Sequence, residues 1–275
     1  MTILTAVLLG LVQGVAEFLP ISSSGHLALL QNFFHVDTGD MLFDVLLHTG
    51  TLFALLLAYR RDVAAVLRGA LGLVGLGRDR GPTTKRNVDR RRMAVFIIVG
   101  SLPLLLVLPV RDKVAELYNN SVLVSLMLMF NGLILYLSDR NAQGAQGLRE
   151  MRAVPALLVG LGQALAVVPG ISRSGTTISV GMLCGFKRSF AVRFSFLLSI
   201  PAVIGATILS LVEAVAGGAD LSLLPVYFCG MAAAAVSGYF SIRLLKWLAA
   251  RSSFGGFAYY CWGAGIVAMI LSLVA

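Results

Sequence analysis

The stretch Gln13-Gly14-Val15-Ala16-Glu17-Phe18-Leu19-Pro20-Ile21-Ser22-Ser23-Ser24-Gly25-His26 comes back, altered, further along the chain. Gln163-Ala164-Leu165-Ala166 through Ile171-Ser172-Arg173-Ser174-Gly175 matches it at Gln, Ala, Ile, two Ser and Gly, all at one offset of 150. In each copy an apolar run meets a Gly/Pro/Ser break and then a second short apolar run. A helix that crosses a bilayer takes roughly 20 mostly apolar residues, more than either run supplies. Non-helical backbone at membrane depth is tolerated where it is buried in protein or lines a polar cavity. Residues 1–38 and 153–190 therefore read as two re-entrant helical hairpins.

The rest of the chain supplies the membrane context. Of its 275 residues, 58% are hydrophobic and 13% charged, with mean hydropathy +0.88. A soluble domain carries nearer a quarter charged residues and would expose aggregating patches at this composition. Spanning stretches are read at 41–59, 93–110, 121–138, 194–212, 222–242 and 255–275. The expected fold is an all-α integral membrane protein of about six transmembrane helices plus the two re-entrant hairpins. Each hairpin is followed by about three crossings, and an odd number turns the second unit over. The chain is then one membrane domain built as an inverted-topology repeat, 1–138 and 153–275.

The formal net charge of +9 does not point to nucleic acid, because ten of the 22 Lys and Arg fall between Arg60 and Arg92. Such enrichment marks a cytoplasmic loop, and one that touches anionic lipid. With 60–92 inside, Arg111–Asn120 lies outside. Asp139–Arg152, with Arg140, Arg149 and Arg152, lies inside. Glu213 and Asp220 flank an outer glycine-rich loop, while Arg243, Lys246 and Arg251 are inside. Both termini are expected outside. Cys184, Cys229 and Cys261 form no paired spacing and read as small core residues. The apolar N-terminus has no Lys or Arg before Arg60 and does not read as a secretion signal.

The two breaks carry complementary chemistry. Gln13 and Glu17, at i and i+4, share a helix face. An ionisable group at membrane depth is costly and marks function, and Glu17 has no basic neighbour nearby in sequence. A cation or a distant Arg would balance it. Pro20 ends the helix. Ser22, Ser23 and Ser24 supply hydroxyls and backbone N–H groups, Gly25 lets the backbone approach a ligand closely, and His26 can exchange a proton. Ser22–Ser24 also suit a helix N-cap, which is itself an anion site. In the second break Arg173 stands in apolar surroundings. A Gly/Ser turn suits a guanidinium that grips phosphate, with Ser172, Ser174, Gly175 and Thr177 adding donors. His35 reads as a solvated loop residue, and His48 as a partner for Asp44. A phosphate site inside a membrane implies a hydrophobic phosphate ester.

At these residues the sequence resembles the undecaprenyl-diphosphatase family of membrane enzymes linked to bacitracin resistance. The likeness spans essentially the whole chain in length and hydropathy. Its specific part is Gln13-x-x-x-Glu17 leading into Phe18-Leu19-Pro20-Ile21-Ser22-Ser23-Ser24-Gly25-His26, together with Pro169-Gly170-Ile171-Ser172-Arg173-Ser174-Gly175. It implies hydrolysis of undecaprenyl pyrophosphate to undecaprenyl phosphate and phosphate, in the bacterial inner membrane, at a site open to the periplasm. It also implies a divalent cation. The family's first motif begins with Glu or Gln. Gln13 leaves Glu17 as the carboxylate of the metal site, with Mg²⁺ or Ca²⁺ suited to oxygen ligands. Ser23 or His26 would attack the terminal phosphorus, the other would handle protons, and Arg173 would stabilise charge on the equatorial oxygens. The partners implied are the polyprenyl pyrophosphate and bilayer lipid, and a homodimer stays open. Inverted repeats with broken helices also suit a lipid-phosphate transporter. A serine protease using Ser23 or Ser24 with His26 leaves Arg173 unexplained. An unrelated membrane acid phosphatase would need a second His after its Arg, and no His follows His48.

Overall fold

The computed structural model describes residues 1–34, 41–76, 84–141, 144–216, 221–251 and 253–274. His35 and Asp220 lie outside the described residues. In chain order the helices are α1 (Ile3–Phe18), α2 (Ser23–Phe34), α3 (Met41–Ala58), α4 (Arg60–Leu73), α5 (Lys85–Ser101), α6 (Arg111–Glu116) and α7 (Ser121–Arg140). The second half follows with α8 (Ala153–Leu165), α9 (Arg173–Leu183), α10 (Arg188–Ala216), α11 (Leu224–Arg251) and α12 (Gly255–Val274). Among the described residues there is no strand, and one isolated bridge joins Gln146 to Phe186. Among the described residues five helical stretches are long and apolar enough to cross a bilayer, six when the bent pair α3 and α4 counts as one. This agrees with the expected all-α fold of about six spans, and the chain is a multi-pass membrane protein.

Hydrophobic burial does not drive helices together inside lipid, so close packing of small residues does. α1 lies on α11, and a Cβ at Gly10 would stand 2.2 Å from the Gly230 carbonyl oxygen. α8 lies on α5, and a Cβ at Gly160 would stand 2.1 Å from the Gly100 carbonyl oxygen. Gly10 and Gly160 are the same position of the repeated stretch. The first helix of each half thus crosses a long helix of the other half at a backbone-to-backbone contact. Phe18, at the end of α1, packs edge-on against Phe196 of α10 with ring centroids 5.6 Å apart. These contacts hold the two short helices where the chain breaks.

The basic stretch 60–92, expected as a loop, is largely helical. α4 runs from Arg60 to Leu73 and is bent 87° from α3, and α5 already begins at Lys85. The cations masked an apolar stripe in α4, Val63, Val66, Leu67, Ala70 and Leu71, at helical spacing. α4 and α5 close on each other at Gly69, where a Cβ would stand 2.3 Å from the Arg90 carbonyl oxygen.

Candidate active site

Each break is the end of one short helix and the start of another. α1 stops at Leu19, whose N–H still reaches the Val15 carbonyl at 3.2 Å, and Pro20 brings no N–H to continue. The chain turns through Ser22, which has φ +71°, a left-handed value that side chains rarely adopt. Ser22 then caps α2, its Oγ accepting the Gly25 N–H at 3.2 Å. The second break repeats the cap, with Ser172 Oγ accepting the Gly175 N–H at 3.1 Å. Here the left-handed residue is Gly170, at φ +94°, where glycine carries no Cβ penalty. α2 therefore begins at Ser23 and α9 at Arg173, the same position of the repeat.

The two breaks touch. A Cβ on Gly25 would stand 2.9 Å from Gly170 Cα, so glycine there serves chain-to-chain approach. Asn131 of α7 joins both: its Nδ2 donates to the Pro20 carbonyl at 3.0 Å and its Oδ1 accepts the Ser172 N–H at 3.1 Å. Ser174 Oγ donates across to the Leu19 carbonyl at 3.2 Å. The N-terminal ends of α2 and α9 meet in this way, and helix N-termini favour anions.

Glu17 sits at the junction. Its Oε1 pairs with Arg173 Nη2. Its Oε2 accepts the Ser23 hydroxyl at 2.6 Å and Gln13 Nε2 at 3.2 Å. The distant Arg that the lone carboxylate required is thus Arg173. With its side chain 20% exposed and ion-paired, Arg173 is not snorkelling. Its Nη1 is buried and has no partner among the described residues. One arm of the guanidinium holds Glu17 while the other is left to pair with an anion.

His26 is oriented at both ring nitrogens. Nδ1 lies 2.8 Å from the Ser22 carbonyl, which can only accept, so Nδ1 carries the proton. Nε2 then accepts from the Tyr260 hydroxyl at 2.8 Å. Ser24 lies near Tyr118 and 3.3 Å, Oγ to Oγ, from Ser22. Ser23, Ser24, His26 and Arg173 are part-exposed, whereas Ser22, Gly25, Ser172, Ser174, Gly175 and Thr177 are buried. Thr177 donates to the Arg173 carbonyl at 2.7 Å and lies 2.5 Å from Ser195 Oγ. Those buried residues fix the turns on which the part-exposed ones stand.

Among the described residues no group of three or more His, Cys, Asp or Glu converges. Gln13 Oε1 is buried without a partner among the described residues, on the side chain whose Nε2 bonds Glu17, so an amide oxygen and a carboxylate lie on neighbouring side chains. That set suits a hard cation which completes its shell from a ligand's own oxygens.

The family profile described as "Bacitracin resistance protein BacA" matches residues 6–267. The chain belongs to this family. Among curated relatives, an undecaprenyl-diphosphatase of Methanosphaera stadtmanae is 40% identical over 276 residues, covering 99% of each chain. One of Carboxydothermus hydrogenoformans is 37% identical, over 97% of this chain and 96% of its own. One of Syntrophotalea carbinolica is 40% identical, over 96% and 97%.

Three side chains of this BacA-family site escaped the sequence reading. Asn131 had a signal, a carboxamide alone amid the apolar run of 121–138, which is costly at depth. Tyr118 and Tyr260 had none, since tyrosines near helix ends read as interfacial anchors. His48, expected to pair with the Asp44 side chain, has its Nδ1 2.9 Å from the Asp44 main-chain carbonyl instead.

Proposed function

We propose that this chain hydrolyses undecaprenyl pyrophosphate to undecaprenyl phosphate and inorganic phosphate. The reaction would return the lipid carrier to peptidoglycan and cell-wall polysaccharide synthesis and confer bacitracin resistance. The observation that carries the reading is the Ser23–Glu17–Arg173 chain of contacts across both breaks. It sets a hydroxyl, a carboxylate and a phosphate-binding guanidinium side by side in a membrane protein whose relatives are undecaprenyl-diphosphatases.

Ser23 Oγ attacks the terminal phosphorus, and its proton passes to Glu17 Oε2, which it already faces at 2.6 Å. The bond from that phosphorus to the bridging oxygen breaks, and undecaprenyl phosphate leaves. Water then attacks the phosphoserine with its proton taken by His26 Nε2, the unprotonated end of the ring. Phosphate departs, Ser23 regains its proton from Glu17, and His26 gives the proton it took to the leaving phosphate, so both groups return to their starting state. Arg173 Nη1 and the N-termini of α2 and α9 bind the equatorial oxygens as charge builds. Ser172, Ser174 and Thr177 hold Arg173 in place, and Ser22, Ser24 and Gly25 hold Ser23 and His26. A divalent cation, Mg²⁺ or Ca²⁺, would be held by Glu17, Gln13 Oε1 and the substrate's oxygens, and would neutralise pyrophosphate charge.

The proposed setting is the bacterial inner membrane, with 1–34 and 153–183 as re-entrant hairpins of opposite sense and the site open to the periplasm. It is supported by the cations gathered at Arg60–Arg92, Arg140–Arg152 and Arg243–Arg251, which assign those ends to the cytoplasm. The broken, reciprocally packed halves also suit a lipid-phosphate transporter. One assay separates the two: purified protein in detergent, where no gradient exists, is given undecaprenyl pyrophosphate with and without chelator. Phosphate release that stops with chelator and resumes with Mg²⁺ or Ca²⁺ is the expected result. Binding without release would favour transport.

A further inference from the structure

Away from the breaks, a cavity of about 770 Å³ opens between α4, α5, the start of α10 and the segment before α8. It shares no residue with the candidate active site. Eight cationic side chains and two carboxylates line it. The carboxylates are already matched: Asp62 pairs with Arg193, and Asp89 with Arg149 at 3.2 Å. Arg60, Arg61, Arg68, Lys85 and Arg86 therefore face the cavity with no acidic partner among the described residues. A solvated cytoplasmic loop would scatter such charges. Here separate elements turn them towards one concave space, which costs mutual repulsion unless an anion enters it.

We propose that this cavity is a binding site for the phosphodiester headgroup of an anionic phospholipid. Free phosphate would satisfy the cations alone, but α4 supplies the second half of a lipid site. It leaves α3 at 87°, so it runs across the direction of the spans and lies at the level where they end. Arg61 and Arg68, seven residues apart, share one edge of α4, while Leu67 and Leu71 on the next edge and Val74 just past its end are 59%, 47% and 67% exposed. A helix with cations on one edge and bare aliphatic side chains on the other lies in the bilayer interface, its apolar edge among acyl chains. Basic pockets between helices on the cytoplasmic side are known to take acidic lipid headgroups. The Arg side chains suit a phosphodiester because each guanidinium can pair two of its oxygens.

The full-length protein in detergent is titrated with fluorescent phosphatidylglycerol and with fluorescent phosphatidylcholine, in low and high salt. Phosphatidylglycerol should bind at least about tenfold more tightly, and salt should weaken it. Arg60→Gln/Arg61→Gln/Arg86→Gln should lower that affinity by about fivefold for each cation removed, with phosphate release in detergent unchanged. If the triple variant fails to fold, Arg68→Gln/Lys85→Gln serves in its place. Equal binding of the two lipids, or unchanged affinity in the variants, would overturn the proposal. So would displacement of phosphatidylglycerol by equimolar inorganic phosphate, which would make the cavity a free-anion site.

Discussion

The break at 13–26 and the break at 163–176 share a backbone plan and little chemistry. Both cap a short helix with serine, Ser22 and Ser172, and both begin that helix at the same repeat position, Ser23 and Arg173. The first leaves Ser23, Ser24 and His26 part-exposed, and the second leaves only Arg173 so among residues 169–177. Gln13 bonds Glu17, whereas Gln163, with Val167 where Glu17 would be, has both amide atoms buried without partners among the described residues. The first break tolerates a left-handed serine, and the second gives that conformation to Gly170. One backbone plan used twice lets one copy present hydroxyls and an imidazole while the other presents one guanidinium.

That division can be broken at several points. The largest effect should come from Ser23→Ala, with phosphate release falling by at least about 10³-fold, as when a nucleophile is removed. Ser174→Ala, on the second break, should stay within about tenfold because its hydroxyl serves chain packing. A Ser23→Ala enzyme with substantial turnover would move the attack to His26. Next, Arg173→Lys keeps the charge and loses the planar fork, and kcat should fall by about 10²-fold. Near-normal kcat would show that no paired bonds to phosphate are needed.

Glutamate at the two matched glutamines sharpens the comparison. Gln13→Glu places a second carboxylate beside Glu17 and should be tolerated, with the Mg²⁺ needed for half-maximal rate lowered. Gln163→Glu buries a charge with nothing to balance it and should cost several kcal/mol of stability, read as a lower Tm with metal present. Equal Tm losses would remove the cation from the first break. The smallest effect concerns the turns. Ser22→Gly loses a cap but relieves a left-handed side chain, whereas Ser172→Gly only loses a cap. Ser172→Gly should therefore be the less stable by about 1 kcal/mol.

The breaks were legible because lipid makes polar residues expensive, so Glu17 and Arg173 stood out, and an offset of 150 lined up the two stretches that hold them. Their pairing was half-legible: Glu17 visibly lacked a partner, but a contact 156 residues away leaves no local trace. Asn131 and Tyr260 reach the site across 111 and 234 residues for the same reason. α4 was misread because a high density of cations hides an apolar stripe when composition is weighed before spacing. The glycines of the helix crossings were visible, but which helix each would meet depends on how the halves exchange.

That exchange bears on how such a chain could arise. Gly10 needs Gly230, and Gly160 needs Gly100, so a polypeptide of half the length would have no crossing partner within itself. It would have to meet a second copy of itself, turned over, in the same bilayer. In such a pair every residue of the break occurs twice, and no substitution can serve one role without disturbing the other. Joining the copies into one chain removes that restriction. Position 23 is then free to keep a hydroxyl while position 173 carries a guanidinium, so the two breaks can differ as they do.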